Sequence, residues 1–256
     1  MHPTKISEGI REAANLIRKA KYAVALTGAG SSTPSGVPDF RSDGSGLWVR
    51  YLPTEIATLT VFKRHPERFF KWLRPLASHM LSAQPNDAHL ALAKLEQRDV
   101  LKTVITQNID GLHRRAGSVN VLPVHGTLET MTCIECYQQV DAAPYTHPYI
   151  EDGIIPRCEN CGNYLKPDVV LFEEQLPAKI WVKARQAIDS CDLLLIAGTS
   201  LLVAPVAQLP ERARKHNARI IIVNQTPTYM DPHADVVLQG DVAEIIPAIL
   251  AEVLDE

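Results

Sequence analysis

Short apolar runs alternate with segments of helical periodicity along most of the chain. The runs are typical of strands in a parallel sheet, which is covered on both faces. They predict strands at residues 22–26, 100–106, 121–124, 168–172, 192–197, 219–224 and 236–238. Apolar residues three or four apart predict helices at residues 6–17, 54–60, 65–81, 86–97, 178–188 and 242–254. This alternation predicts an α/β fold, a Rossmann-like, doubly wound parallel sheet.

Polar residues follow several of the predicted strands at the point where each strand ends. Gln107, Asn108, Ile109 and Asp110 follow the strand 100–106, and His125 follows the strand 121–124. Two later strands end on Gly198, Thr199 and Ser200 and on Asn224 and Gln225. The carboxyl ends of parallel strands form one edge, where such sheets bind ligands. From the residues alone, His125 fits a hydrogen-bonded structural histidine and a general base equally well.

A glycine-rich turn follows the strand 22–26 and predicts a phosphate-binding site. Gly28 and Gly30 lack a Cβ, so the backbone can turn tightly and approach a pyrophosphate, helped by any helix that begins at Ser32 or Thr33. Thr33 replaces the third glycine of the usual dinucleotide motif, and the next strand does not end in the acidic residue that binds ribose. These departures weaken the hypothesis of a nicotinamide-dependent oxidoreductase.

Four of the five cysteines form two Cys-x-x-Cys pairs. Cys133 and Cys136 are separated from Cys158 and Cys161 by 21 residues, a spacing close to that of zinc ribbons. Four thiolates complete a tetrahedral shell without an open position, so we expect one structural Zn²⁺. Cys191 begins a buried strand and is interpreted as a small apolar core residue.

Composition and charge narrow the classes of function. The 256 residues are 46% hydrophobic and carry a formal net charge of −3. We expect one catalytic domain over residues 1–256, with a lid loop and helical insert at about 42–98 and a zinc-binding module at about 127–167. The charge does not favour a nucleic-acid partner. No apolar run is long enough to span a membrane and Met1–Lys5 begins no signal peptide, so we expect a cytoplasmic protein.

Four motifs in order along the chain resemble those of the sirtuins, the NAD-dependent protein lysine deacylases. Residues 28–41 read GAGSSTPSGVPDFR, and residues 106–113 read TQNIDGLH. The stretches VHG at 124–126 and GTSL at 198–201 follow. The resemblance covers nearly the whole chain and is closest to the compact bacterial and archaeal members. Ser31 stands where an aliphatic residue is usual, and Trp48 where tyrosine is common.

The resemblance implies a function for most of these residues. His125 would be the general base for the NAD ribose hydroxyls, with Asn108 beside the catalytic water. Residues implied in NAD binding are Gly28, Ala29, Gly30, Thr33, Asp39, Phe40, Arg41, Trp48, Gln107, Asn108, Ile109, Asp110, Gly198, Thr199, Ser200, Asn224, Gln225 and Val242. An acylated peptide would add as a strand between two segments, through Val169, Val170, Phe172, Leu202 and Val203. The aromatic residues Phe62, Phe69, Phe70 and Trp72 are expected mainly in the core, with a smaller share lining an acyl-lysine tunnel.

The implied reaction removes an acyl group from a protein lysine and yields nicotinamide, O-acyl-ADP-ribose and free lysine. The implied partners are acylated proteins or peptides, without nucleic acid or membrane, and the chain is expected to be a monomer or a weak oligomer. A protein ADP-ribosyltransferase on the same scaffold, a nicotinamide-dependent oxidoreductase and a zinc-ribbon nucleic-acid binder are the alternatives. The sequence also lacks the Tyr-x-x-Arg pair found in sirtuins that prefer succinyl groups, because Lys71 stands three residues before Arg74.

Overall fold

The computed structural model describes residues 3–39 and 53–255. Nine strands are present in these ranges: β1 (Ala23–Thr27), β2 (Leu101–Thr106), β3 (Val121–Pro123), β4 (Gly126–Cys133), β5 (Gln139–Asp141), β6 (Leu165–Val169), β7 (Leu193–Ala197), β8 (Arg219–Asn224) and β9 (Val236–Gln239). The α-helices in the same ranges are α1 (Pro3–Lys19), α2 (Pro53–Ile56), α3 (Leu59–Arg64), α4 (Pro66–Ser82), α5 (Asp87–Gln97), α6 (Leu112–Arg115), α7 (Ala143–His147), α8 (Ala178–Ser190), α9 (Leu209–Lys215) and α10 (Val242–Leu254). None of these helices is both long and apolar enough to cross a membrane.

Six strands form a parallel sheet in the order β3-β2-β1-β7-β8-β9. Alternate residues of β1 enter different cores, because successive side chains of a strand point to opposite faces. Ala23 and Ala25 pack with α1, α5 and α10. Val24 and Leu26 pack with α8 and α9 on the other face. The predicted doubly wound parallel sheet is confirmed.

A second, three-stranded sheet in the order β5-β4-β6 carries the cysteines. Its strands are antiparallel. The four sulfur atoms of the two pairs lie within 4.8 Å of one another, with 3.4 Å between Cys133 and Cys161 and 3.6 Å between Cys136 and Cys158. A tetrahedral zinc with Zn–S bonds of about 2.3 Å needs sulfurs about 3.8 Å apart. The cluster therefore fits one zinc ion. The backbone N–H of Gln138, together with hydrogen bonds from the neighbouring cysteines, lowers the pKa of Cys136.

Hydrogen bonds join the segment between β5 and β6 to helix α4. Tyr149, in a π-helical turn at Pro148–Asp152, donates its buried hydroxyl to the Phe70 carbonyl at 2.6 Å. Arg74 donates to two carbonyls of the same turn, those of Ile150 at 2.8 Å and Glu151 at 2.6 Å. A shared apolar core lies beneath these bonds, with Phe62, Phe69 and Phe70 fully buried in edge-to-face contact. The expectation that these three phenylalanines belong to the core is confirmed.

Two predicted elements differ from the structure. The strand predicted at 168–172 is wrong: β6 ends at Val169 and pairs with β4 in the small sheet, because residues 166–169 alternate buried and half-buried side chains beside the cysteine module. The helix predicted at 54–60 is two helices separated at Ala57 and Thr58. The Thr58 side chain accepts the Val61 N–H as the cap of α3, while its backbone forms a bridge to Phe172.

Two buried histidines lie together under the end of β1. His113 places Nε2 2.9 Å from the Thr27 hydroxyl, and its ring centroid is 4.7 Å from that of His89. His89 accepts the Asn86 N–H through Nδ1 at 3.3 Å, as part of the α5 capping box. Burial lowers the pKa of His89 to about 4 and that of His113 well below its usual range. Both rings are therefore neutral in the folded protein near neutral pH.

We expect loss of the metal to destabilise the protein. Cys158→Ala removes one of four ligands from a module with a small core of its own, so its melting temperature should fall below that of the wild type. Metal analysis should give about one zinc per chain for the wild type and less for the variant. Cys191→Ala is the matched control, because this cysteine is buried but lies outside the cluster. A metal-free protein with unchanged melting temperature would contradict the structural role.

We also expect acid to destabilise the fold through the histidine pair. Above about pH 6.5 both rings are neutral in the folded and unfolded states, whereas below it only the unfolded chain takes up protons. The free energy of unfolding should therefore decrease between pH 6.5 and pH 4, by roughly 3 kcal/mol from His89 alone. Urea denaturation across this range measures the slope. His89→Gln should reduce the slope of the unfolding free energy against pH, and the exposed His79→Gln should leave it unchanged. Equal slopes in all three proteins would refute the assignment.

Candidate active site

A cavity of about 1410 Å³ lies along the carboxyl edge of the parallel sheet. It exceeds the roughly 300–1,000 Å³ of an ordinary small-molecule site, so it has room for a dinucleotide and a second substrate. The predicted site residues that line it are Ala29, Gly30, Thr33, Asp39, Gln107, Asn108, Ile109, Asp110, His125, Val169, Val170, Phe172, Gly198, Thr199, Ser200, Val203, Asn224, Gln225 and Val242. The structure thus brings together residues that are far apart in sequence.

The other predicted residues lie elsewhere. Gly28 packs against Thr199 beneath the cavity wall, and Leu202 is 70% exposed and is not among the lining residues. Phe40, Arg41 and Trp48 lie outside the described residues. Their predicted contacts with NAD stay predictions.

The glycines of the first turn serve close packing between two turns. The Gly30 N–H donates to the Gly198 carbonyl at 2.9 Å, and a Cβ on Gly198 would lie 2.3 Å from the Ser31 nitrogen. Gly198 also has a φ of +61°, which side chains disfavour. The sequence suggests these glycines because a phosphate must approach the backbone. The structure adds a second reason, the close packing of the two turns inside the protein. Two short 3₁₀ turns, Ala29–Ser31 and Thr33–Ser35, follow β1, and no α-helix begins at Ser32 or Thr33.

Asn108 ties the end of β2 to this turn. Its Nδ2 lies 3.0 Å from the Gly28 carbonyl, 2.9 Å from the Ser32 hydroxyl and 3.2 Å from the Ser31 hydroxyl. Ser31, which stands where the resemblance implies an aliphatic residue, is buried and also donates to the Gly28 carbonyl at 2.7 Å. The extra hydroxyl is thus accommodated by hydrogen bonds, which an aliphatic side chain could not form.

Asp110 is a buried carboxyl group at the cavity wall. Ser32 donates to its Oδ2 at 2.7 Å, and the Leu112 N–H donates to its Oδ1 at 2.9 Å. Burial raises the pKa of Asp110, whereas these hydrogen bonds lower it. Since the burial effect is the larger, this carboxyl group takes up a proton more readily than an exposed aspartate.

The position of His125 is fixed through the backbone of Gln107. The Nδ1 atom of His125 is 3.1 Å from the Gln107 carbonyl, which can only accept, so Nδ1 carries the hydrogen. In the neutral ring Nε2 then has the lone pair that a general base needs. The Gln107 side chain donates to the Thr199 hydroxyl at 2.9 Å and so links β2 to the end of β7.

One arm of the cavity is apolar. Trp72, Leu73, Leu76 and Met80 on helix α4 line it, together with Val37 and Ile109. Of the four aromatic residues considered in the sequence, only Trp72 contributes to this lining. Neither Lys71 nor Arg74 lines the cavity, and Arg74 is engaged by the π-helical turn. The arm therefore offers an apolar packing surface and, within the described residues, no cation.

Most of the backbone of the segment 170–173 is already hydrogen-bonded. Phe172 pairs with Ala57 and Leu59, and the Val170 N–H donates to the His125 carbonyl at 2.8 Å. The Leu171 N–H donates to the Glu174 carboxylate. Within the described ranges, the Val170 carbonyl and the Glu173 N–H have no backbone partner. A peptide adding as a strand would find these two groups rather than a whole strand edge.

Sequence reasoning missed several lining residues. Ser32, Thr226, Asp241, Glu173 and Trp181 all border the cavity. Ser32 could have been found, because a second serine in a glycine-rich turn is a hydrogen-bonding group beside a ligand site. Trp181 lies on a helix with ordinary amphipathic spacing, which gives no signal of its own.

The residues present fit a dinucleotide. Hydroxyl or amide side chains lie at the ends of β2, β7 and β8, and a tightly packed glycine turn lies at the end of β1. Such an edge supplies backbone and side-chain donors to phosphates and riboses at several points.

Comparisons with known proteins agree with a dinucleotide-binding site. Residues 28–205 match the model of the Sir2 family. The "NAD-dependent protein deacylase 2" of Archaeoglobus fulgidus is 43% identical over 97% of both chains.

Two solved structures are also similar. A Sir2 protein with a deacetylated p53 peptide and 3'-O-acetyl-ADP-ribose matches with a TM-score of 0.88 and 34% identity, over 95% of this chain and 98% of that one. Sir2Af2 bound to a myristoylated histone peptide matches with a TM-score of 0.82 and 40% identity, over 96% of both chains. The chain belongs to the Sir2 family.

Proposed function

We propose that the protein is an NAD-dependent protein lysine deacylase that produces nicotinamide, O-acyl-ADP-ribose and free lysine. The observation that carries the proposal is the position of His125 at the wall of a cavity large enough for two substrates. Its Nδ1–H donates to the Gln107 carbonyl, so Nε2 has the lone pair of a general base. Relatives named as NAD-dependent deacylases support it. NAD supplies the ribose carbon that accepts the acyl oxygen as nicotinamide leaves.

Individual residues of the chain would have separate roles in the reaction and in binding. His125 Nε2 takes a proton from a ribose hydroxyl, which makes that oxygen a better nucleophile toward the acyl carbon. Hydrogen bonds from Nδ2 fix the Asn108 side chain, and its Oδ1 would orient a water or a ribose hydroxyl. The ends of β7 and β8 would bind the phosphates and the adenosine ribose through Thr199, Ser200, Asn224 and Gln225. Asp110 would border the nicotinamide.

We also propose the finer features predicted from the sequence. The chain would act as one catalytic domain, with inserts at about 42–98 and 127–167, on acylated proteins of the cytoplasm. It would work as a monomer or weak oligomer without nucleic acid. The net charge of −3 supports the last point.

Nicotinamide release should require an acyl-lysine peptide. Wild-type protein with NAD and an acetyl-lysine peptide should release nicotinamide and free lysine together, and little nicotinamide with the unmodified peptide. His125→Ala should lower kcat by about two or more powers of ten, because it removes the general base. Its melting temperature should stay near that of the wild type.

Other outcomes separate the alternatives. Near-normal turnover by His125→Ala would contradict its assignment as base. Labelled ADP-ribose left on a protein would favour the transferase, and reduction of NAD by an alcohol would favour the oxidoreductase.

Neutral acyl groups should be preferred over succinyl. The apolar arm has no described cation for a distal carboxylate, whose burial without partners costs a few kcal/mol, or about two powers of ten in kcat/KM. The test compares kcat/KM on one peptide bearing acetyl-, butyryl- or succinyl-lysine. Butyryl is the control, since it adds length without charge. Succinyl turnover equal to that of butyryl would overturn this interpretation of the arm.

A further inference from the structure

Glu173 has an unusual backbone conformation at the wall of the cavity. It follows Phe172, is exposed, and has a φ of +75°, a left-handed value uncommon for a residue with a side chain. Its Oε2 accepts both the Thr60 N–H at 3.0 Å and the Thr60 hydroxyl at 2.7 Å. The carboxylate is therefore fixed in place rather than moving freely in solvent.

The charge of Glu173 is not neutralised within the described parts of the chain. The next residue, Glu174, forms an ion pair with Lys166 at 3.1 Å. Glu173 forms no ion pair with a lysine or arginine of these parts, and the Thr60 hydrogen bonds lower its pKa. It thus presents a negative charge at neutral pH on the cavity wall.

A peptide docking by strand addition would pass this charge. The Glu173 N–H has no backbone partner among the described residues, and it lies in a turn in which the Glu174 N–H donates to the Leu171 carbonyl at 3.1 Å. A peptide backbone that paired with the Glu173 N–H would run alongside the Glu173 side chain. Side chains of residues next to the acyl-lysine would then lie near the carboxylate.

We propose that Glu173 is a specificity-determining residue that favours substrates with an arginine or lysine within two residues of the acyl-lysine. The inference rests on the proposed function and deepens it. Because the carboxylate is already immobilised by Thr60, pairing with a basic side chain loses little of its conformational freedom. Acidic residues at the same position would be repelled.

The test measures kcat/KM on acetyl-lysine peptides that carry arginine, alanine or glutamate at each of the four flanking positions in turn. At one position or more, arginine should exceed alanine by about two- to five-fold, the size expected for one exposed ion pair. The preference should shrink between about 20 mM and about 500 mM NaCl because salt screens exposed charges.

Variants assign the preference to one carboxylate. Glu173→Gln keeps an oxygen that can accept from Thr60 but removes the charge, so the arginine-to-glutamate ratio should fall to about one. Glu173→Lys should invert it. Glu12→Gln, an exposed position on α1 outside the cavity, is the control and should keep the wild-type ratio.

Two results would overturn the inference: a wild-type ratio of about one at every position, or an unchanged ratio in Glu173→Gln. Peptide binding, measured by fluorescence anisotropy, separates it from the proposed function. Charge-dependent binding without any nicotinamide release would refute the proposed function alone. Turnover without charge preference, in kinetics and in binding, would refute only the inference.

Discussion

The candidate site depends on the close contact between the turns that follow β1 and β7. Gly30 and Gly198 approach so closely that a Cβ on Gly198 would lie 2.3 Å from the Ser31 nitrogen and one on Gly30 would lie 3.0 Å from the Gly198 backbone. Because the two turns are held together, the amides that follow β2 reach both, Asn108 toward Gly28 and Gln107 toward Thr199. Binding groups from three strands are thus aligned before a ligand enters, which reduces the free energy that ordering them would cost on binding.

The opposite wall of the cavity depends on the small sheet. Tyr149 and Arg74 fasten the π-helical turn to α4, the helix whose residues line the apolar arm. Tyr164 adds a hydrogen bond to Glu67 on the same helix. A zinc ion held by the two cysteine pairs, which are 21 residues apart in sequence, would therefore stabilise more than the module itself. Through α4 it would also hold the apolar surface of the cavity in place.

The sequence predicts the parallel sheet well and the small sheet poorly. The strands 192–197 and 219–224 are uninterrupted apolar runs bounded by polar turns, so their position follows from periodicity. β4 and β5 were not predicted, since they alternate weakly in a module organised by cysteines instead of a large core. β6 was placed too late for the same reason. Most of the predicted residues that line the cavity follow strands, so the sequence pattern indicates them. The α4 lining residues, such as Leu76 and Met80, look like ordinary core positions and become recognisable only when the cavity is seen.

The segment 170–174 connects these parts. Phe172 pairs with the backbone around Thr58, and Thr60 holds Glu173, so one side of the segment is fixed to the helical region. On the other side, Glu174 binds Lys166, and the Val170 N–H binds the carbonyl of His125. Gly126, which follows His125 in the sequence, has a φ of +85°, and a Cβ there would lie 1.9 Å from the Asp168 carbonyl oxygen. Because His125 and this segment share a hydrogen bond and are closely packed, a shift of the backbone proposed to bind the peptide would also move the backbone that carries the imidazole. The proposed peptide-binding segment and the proposed base therefore belong to one structural unit.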